Sequence, residues 1–179
     1  MFQRDYVFKG IHANIVTKLT AEINSETKFR LFDRNIDVFI LAPIVGYLYG
    51  TRDSKDETSQ VTSENIKRIN FDQMNRQSYI INYNYQLIML LHEKDRLSIE
   101  ERLNRAFRYV QGTKEREECE KIYESYLLGG LKILKEKLLD GAIKDDDYIF
   151  NIANFIQEYN ERYEQGISDE DIIDLCTNN

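Results

Sequence analysis

A chain of 179 residues with 42% hydrophobic residues can bury a core of its own and suits one domain. One proline and eight glycines exclude a sandwich built on tight turns, and the N-terminal MFQRDYVFKG lacks the apolar run of a secretory signal, which makes the cytoplasm the expected compartment. The net charge of −7 is unevenly divided: residues 1–116 carry +3 and residues 117–179 carry −10, so an acidic C-terminal half, 114–179, follows a half able to meet an acidic partner.

In chain order, Phe2, Tyr6, Val7 and Phe8 read as an irregular lead-in docked on the body. Ile11, Ile15, Val16, Leu19 and Ile23 keep helical spacing. The stretch Phe32–Arg52 holds the most continuous apolar run, Val38 to Tyr49, with apolar residues on every side of a helix; that marks a buried element, and the run is too short for a bilayer. Ala42, Gly46 and Gly50 recur every fourth residue, which lets another backbone come close. Pro43 predicts a kink or a helix starting near Ala42, and a strand over Ile36–Leu41 is the alternative. Asp33 or Asn35 can cap the start, and Gly50 can end the helix in a left-handed conformation. Residues 51–65, rich in Ser, Thr, Asp and Glu, read as a mobile loop.

A short weak helix is expected over 64–76, with strands left open near Val7 and Ile66. Helix 77–94 presents Ile80, Tyr83, Leu87, Leu90 and Leu91 on one face. Ser98 and Glu101 form a capping box that starts a helix with the stripe Ile99, Leu103, Ala106, Phe107 and Val110. Residues 114–140 are helical, and Gly129-Gly130 predicts either two helices meeting or one close crossing. Asp145, Asp146 and Asp147 open an amphipathic helix through Tyr163, and Ser168 with Asp171 opens a terminal one. The sum is an all-α fold: one helical domain over 1–179, an irregular bundle of about seven helices around a buried central helix near residues 36–50.

Recognisable chemistry is sparse. There is no phosphate-binding glycine motif and no nucleophile motif, and His12, His92, Cys119 and Cys176 lack zinc-site spacing. Glu117, Glu120 and Glu124 share a helical face, but without the E-x-x-H partner of carboxylate-bridged metal sites they read as a solvated surface. His92 reads as a helix-end residue whose charge suits the dipole. No catalytic residue, cofactor or metal is expected, so an enzyme would need a motif-free site. The one positive constellation is Arg102, Arg105 and Arg108, placed opposite the apolar stripe and hence outward, with Lys114 and Arg116 alongside. These five are the candidate nucleic-acid or partner-binding residues, and Ala42, Pro43, Gly46 and Gly50 the helix-packing ones.

Phe32, Asp37, Val38, Phe39, Ala42, Gly46, Tyr47, Gly50 and Arg52 together resemble a segment of small helical accessory proteins encoded beside bacterial DNA-modification and phage-defence systems, DNA sulfur-modification loci among them. The resemblance covers this one helix; Pro43 and Thr51 depart from its pattern. It implies a locus and a class of partner and carries no catalytic residue. The expected function is a non-enzymatic helical interaction or regulatory protein, working through a protein partner. The alternative is a nucleic-acid-binding regulator using the Arg row, and self-association stays open.

Overall fold

The structure, a computed structural model, describes residues 4–56 and 66–163. Helix α2 (Asn35–Leu48) is its hub, with Ile36, Val38, Phe39, Ala42, Pro43, Val45 and Gly46 all buried. It runs unbroken through Pro43, so neither a strand over Ile36–Leu41 nor a start near Ala42 occurs. Pro43 has no N–H to offer the Phe39 carbonyl. One residue further on, the buried Asn84 amide donates to the Ile40 carbonyl at 2.9 Å, adding a donor where the proline loosens the ladder. The start is capped differently from expectation. Arg34 stands at the N-cap position, and its guanidinium donates twice to Asp37 in the first turn (2.7 and 3.1 Å). At the other end Gly50 is left-handed (φ 62°). The Thr51 N–H reaches the Gly46 carbonyl and the Gly50 N–H reaches Tyr47, the paired bonds of a Schellman motif.

Helices α1 (Gly10–Leu19) and α4 (Ser78–Leu91) pack on α2. Short helices α3 (Phe71–Arg76) and α5 (Ile99–Leu103) flank α4. Helix α6 (Lys114–Leu138) is continuous through Gly129-Gly130, so the glycine pair marks a close crossing and not a break. A Cβ on Gly46 would lie 2.9 Å from the Gly130 nitrogen and on top of the Tyr126 carbonyl; one on Gly130 would strike the Ala42 carbonyl. The small-residue face therefore works through Ala42 and Gly46, and Gly50 serves the helix end instead.

Near the N-terminus the strands left open at Val7 and Ile66 are present. Residues Tyr6–Lys9 (β1) and Ile66–Ile69 (β2) pair antiparallel, Tyr6 opposite Ile69 and Lys9 opposite Ile66, so the lead-in is a regular strand and the weak helix expected over 64–76 is confined to its second half, Phe71–Arg76. Tyr6 and Phe8 face inward and meet Phe39 edge-on, which ties the ribbon to the hub. The fold is otherwise all-α, with seven α-helices and this small sheet among the described residues. The buried face of α4 is also turned by one position: Ile81, Asn84, Tyr85, Ile88 and Met89 are buried, whereas Tyr83 is exposed.

The chain divides into two compact units, Met1–Glu136 and Lys137–Asn179. The second holds the end of α6 and helix α7 (Asp145–Tyr163). There the Asn151 amide donates to the Leu138 carbonyl (3.3 Å) and Lys137 pairs with Glu158 (2.8 Å). The Asp147 carboxylate accepts the backbone N–H groups of Ile143 and Lys144, which lowers its pKa and caps α7. The Ser168–Asp171 capping box and Cys176 lie outside the described residues.

Candidate functional site

The Arg row sits on the segment that departs most from a regular helix. After α5 the chain makes a π-helical turn, Asn104–Arg108, in which the Tyr109 N–H reaches back five residues to Asn104. The inward side of this segment is polar. Arg102 Nη1 donates to the Leu90 carbonyl (3.0 Å), satisfying an acceptor in the last turn of α4. Arg105 Nε donates to Glu101 Oε1 (3.0 Å), the Tyr109 hydroxyl donates to the same carboxylate, and the Tyr85 hydroxyl donates to the Arg105 carbonyl (3.0 Å). Ser98 caps as expected, accepting from the Glu101 N–H (3.1 Å). The apolar stripe consequently turns outward: Ile99 is 69%, Phe107 56% and Val110 68% exposed, while only Ala106 is buried. The expectation of an outward Arg row opposite a buried stripe is thus reversed for Arg102 and Arg105. The acceptors at the end of α4 and the π turn outweigh the 3.6-residue pattern.

Of the other two basic residues, Lys114 is exposed, and Arg116 is enclosed. Its guanidinium lies 3.9 Å from the Tyr85 ring centroid and its Nε is 3.3 Å from Glu120 Oε1, both side chains being nearly buried. Arg108 is exposed and donates to Asn104 (3.0 Å). Arg108 and Lys114 are therefore the members of the five that project to solvent.

A second surface forms between α1 and α6, and sequence reasoning missed it. Residues 51–56, expected as the start of a mobile loop, are tied along α6; residues 57–65 lie outside the described residues. The Asp53 N–H donates to the Ser125 carbonyl (2.9 Å), Arg52 Nε to the Ser125 hydroxyl (2.8 Å), and Lys55 pairs with Glu124 (2.8 Å). The Asp53 carboxylate meets His12 Nε2 at 2.9 Å and Lys132 Nζ at 2.6 Å. Burial works against its charge, but hydrogen bonds from Lys132, His12 and the Ser54 N–H outweigh that and hold the carboxyl below the ordinary Asp range. His12 itself is buried. Beside this cluster Ile11, Asn14, Ile15, Lys18, Lys132 and Lys135 line a groove of about 290 Å³. The only signal in the sequence was His12 on the buried face of α1 with an acidic residue in a polar segment, too common a pairing to stand out.

A third, wider cleft of about 780 Å³ lies between β1 and the start of α6. The face Glu117, Glu120, Glu124 lines it together with Arg4, Lys9, Lys55 and Lys121. Two of its carboxylates are engaged, Glu120 with Arg116, and Glu124 with Lys55 and the Tyr6 hydroxyl (2.9 Å), while Glu117 is exposed. No group of three or more His, Cys, Asp or Glu side chains among the described residues is arranged to hold a metal ion. Cys119 is buried, and burial pushes its thiol pKa up, away from nucleophilic use. His92 is likewise buried, its Nδ1 3.0 Å from the Tyr126 hydroxyl; burial, with Arg52 and Arg105 nearby, lowers its pKa, contrary to the favourable charge expected at the end of α4.

In the second unit, α7 exposes Ile149, Phe150, Ile156 and Tyr159. No helix among the described residues is long and apolar enough to cross a membrane.

A family model described as DNA sulphur modification system-associated protein 4 matches residues 11–174. The match extends the likeness from the hub helix to most of the chain. No curated protein and no solved structure matches.

Proposed function

The chain belongs to the family of DNA sulphur modification system-associated protein 4, and from that membership we propose that it is a non-catalytic subunit that docks on another protein of the system. Family members are accessory proteins of a DNA sulphur modification system. The observation that carries the docking reading is the outward apolar face of residues 99–110. Ile99, Phe107 and Val110 are all more than half exposed on a segment whose inward side is fixed by hydrogen bonds. Large exposed apolar side chains grouped on one element mark interaction surfaces. Arg108 and Lys114, nearby in sequence, are also exposed, and a charged rim around an apolar centre is the usual anatomy of a protein interface.

The clefts lend no support to catalysis. In the wider one Glu120 and Glu124 are paired, and burial raises the pKa of the Cys119 thiol and lowers that of His92. A nucleic-acid role for the Arg row is disfavoured because Arg102, Arg105 and Arg116 are committed to internal contacts. A protein attached to DNA-modifying machinery belongs in the cytoplasm, where that DNA is.

The test is co-expression of the tagged chain with the other proteins of its system. Co-elution through size exclusion is expected, and its loss in a Phe107→Asp/Val110→Asp variant that melts like the wild type. A wild-type chain that elutes alone in every combination overturns the reading.

A further inference from the structure

The large apolar side chains that α7 exposes are not scattered over it. Ile149, Ile156 and Tyr159 are 55%, 54% and 45% exposed, and the half-buried Ile152 lies between them. Ile149, Ile152, Ile156 and Tyr159 follow one another at steps of three, four and three residues, the spacing of a coiled-coil seam. Phe150 is exposed as well but lies off this strip. Nor is the strip the face that α7 uses inside its own unit. Asn151 and Glu158, which hold the end of α6, lie roughly a third of a turn round the helix from it.

We infer that α7 is a self-association element: a second copy of this chain lays the same strip of its own α7 antiparallel along this one. The strip fits itself. Ile149 layers on Tyr159 of the other copy and Ile152 on Ile156, so each position serves twice about the two-fold axis, as an isologous contact requires. None of the four positions is charged, and the pairing strands no ion between apolar layers. On the solvent side the strip is flanked by the exposed Asp146, Ala153 and Asn160. The antiparallel arrangement sets Asp146 opposite Asn160 and Ala153 opposite itself, so no like charges meet. A parallel pair would bring the acidic first turns, Asp145–Asp147, of both copies to the same end; the antiparallel pair separates them and opposes the helix dipoles. A seam of this period selects a helix with the same repeat, and this chain supplies one at its own concentration. Two short helices make a small interface, at the weak end of specific contacts, so the dimer is expected to form at micromolar concentrations and above.

The experiment is sedimentation equilibrium of the full chain from roughly 5 to 500 μM, the range in which a contact of this size forms. A monomer–dimer equilibrium is expected, weakened about tenfold or more in Ile149→Glu/Ile156→Glu, which removes two central anchors. Ile156→Ser, a milder change, weakens it in the same direction. Phe150→Glu, on the same helix but off the strip, leaves it unchanged, as does Phe107→Asp/Val110→Asp. Thermal melts check that each variant folds as the wild type does. A wild type that stays monomeric at every concentration overturns the inference, and so does a trimer or larger species. A dimer that persists in the strip variants overturns it too, as does one lost in Phe150→Glu or in Phe107→Asp/Val110→Asp. If a monomeric wild type co-elutes with another protein of the system and Ile149→Glu/Ile156→Glu abolishes that, the other protein is the occupant and the inference falls. Self-association is read on the isolated chain and docking on the co-expressed one, so the failure of either reading is seen separately.

Discussion

Gly46 and Gly130 bring the backbones of α2 and α6 into direct contact: a Cβ on Gly46 would lie 2.9 Å from the Gly130 nitrogen, and one on Gly130 would lie 2.8 Å from the Gly46 nitrogen. Both obstacles are main chain, which cannot rotate aside as a side chain could. Gly130→Ala is expected to destabilise the protein by about 3 kcal/mol, overpacking outweighing the ~1 kcal/mol that alanine gains in helix propensity. Gly50→Ala, at a left-handed position with open space around it, is expected to cost about 1 kcal/mol. Urea unfolding of both variants checks the contrast; equal losses would mean that the crossing is looser than the geometry shows.

His92 sets a pH dependence of stability. Burial, with Arg52 and Arg105 nearby, lowers its pKa in the folded protein below the ordinary value of 6.5. The unfolded chain then takes up a proton at a higher pH than the folded one. The stabilisation is complete above pH 6.5 and declines as pH falls from there through the lowered folded pKa. Thermal melts should show this decline in the wild type and a flatter profile in His92→Gln. An NMR titration should find the His92 midpoint below the ordinary value of 6.5.

Arg116 and Arg108 belong to the same cluster of five basic residues in sequence and to different environments in space. Arg116→Ala removes a guanidinium stacked on Tyr85 and paired with Glu120, and is expected to cost about 2 kcal/mol. Arg108→Ala, on an exposed side chain, is expected to change stability by less than about 0.5 kcal/mol. Denaturant midpoints of the two variants test whether the row is structural at one end and superficial at the other.

What could be read from the sequence divides along physical lines. The hub was legible because a run apolar on all sides, with Ala42 and Gly46 four apart, has few readings other than a buried helix in close contact. Gly50 was legible because its left-handed ending is a local property. The sequence leaves strands open at Val7 and Ile66, but their pairing was not legible: each has four residues, and the pairing of Tyr6 with Ile69 spans 62 residues of intervening chain, which no local period records. The orientation of 99–110 was misread because the pattern assumes 3.6 residues per turn throughout. The π turn at Asn104–Arg108 breaks that phase, and Arg102 is drawn inward by a carbonyl of another helix. The α1–α6 groove needed three segments distant in sequence, so His12, Asp53 and Lys132 carried no shared signal.

The glycine pair of α6 has a bearing on the order in which the molecule is made. Gly130 lies against Ala42 and Gly46, and a Cβ on Gly129 would strike the Thr51 carbonyl. Two consecutive passes of the early chain therefore rest on one late helix. During synthesis the hub helix leaves the ribosome long before its seat exists, and contacts of such high sequence separation form slowly. Until α6 follows, the apolar run from Val38 to Tyr49 lacks its closest partner, and the nascent chain is at its most aggregation-prone in that interval. Expression at lower temperature, which slows translation and weakens apolar association alike, is the natural remedy for poor soluble yield.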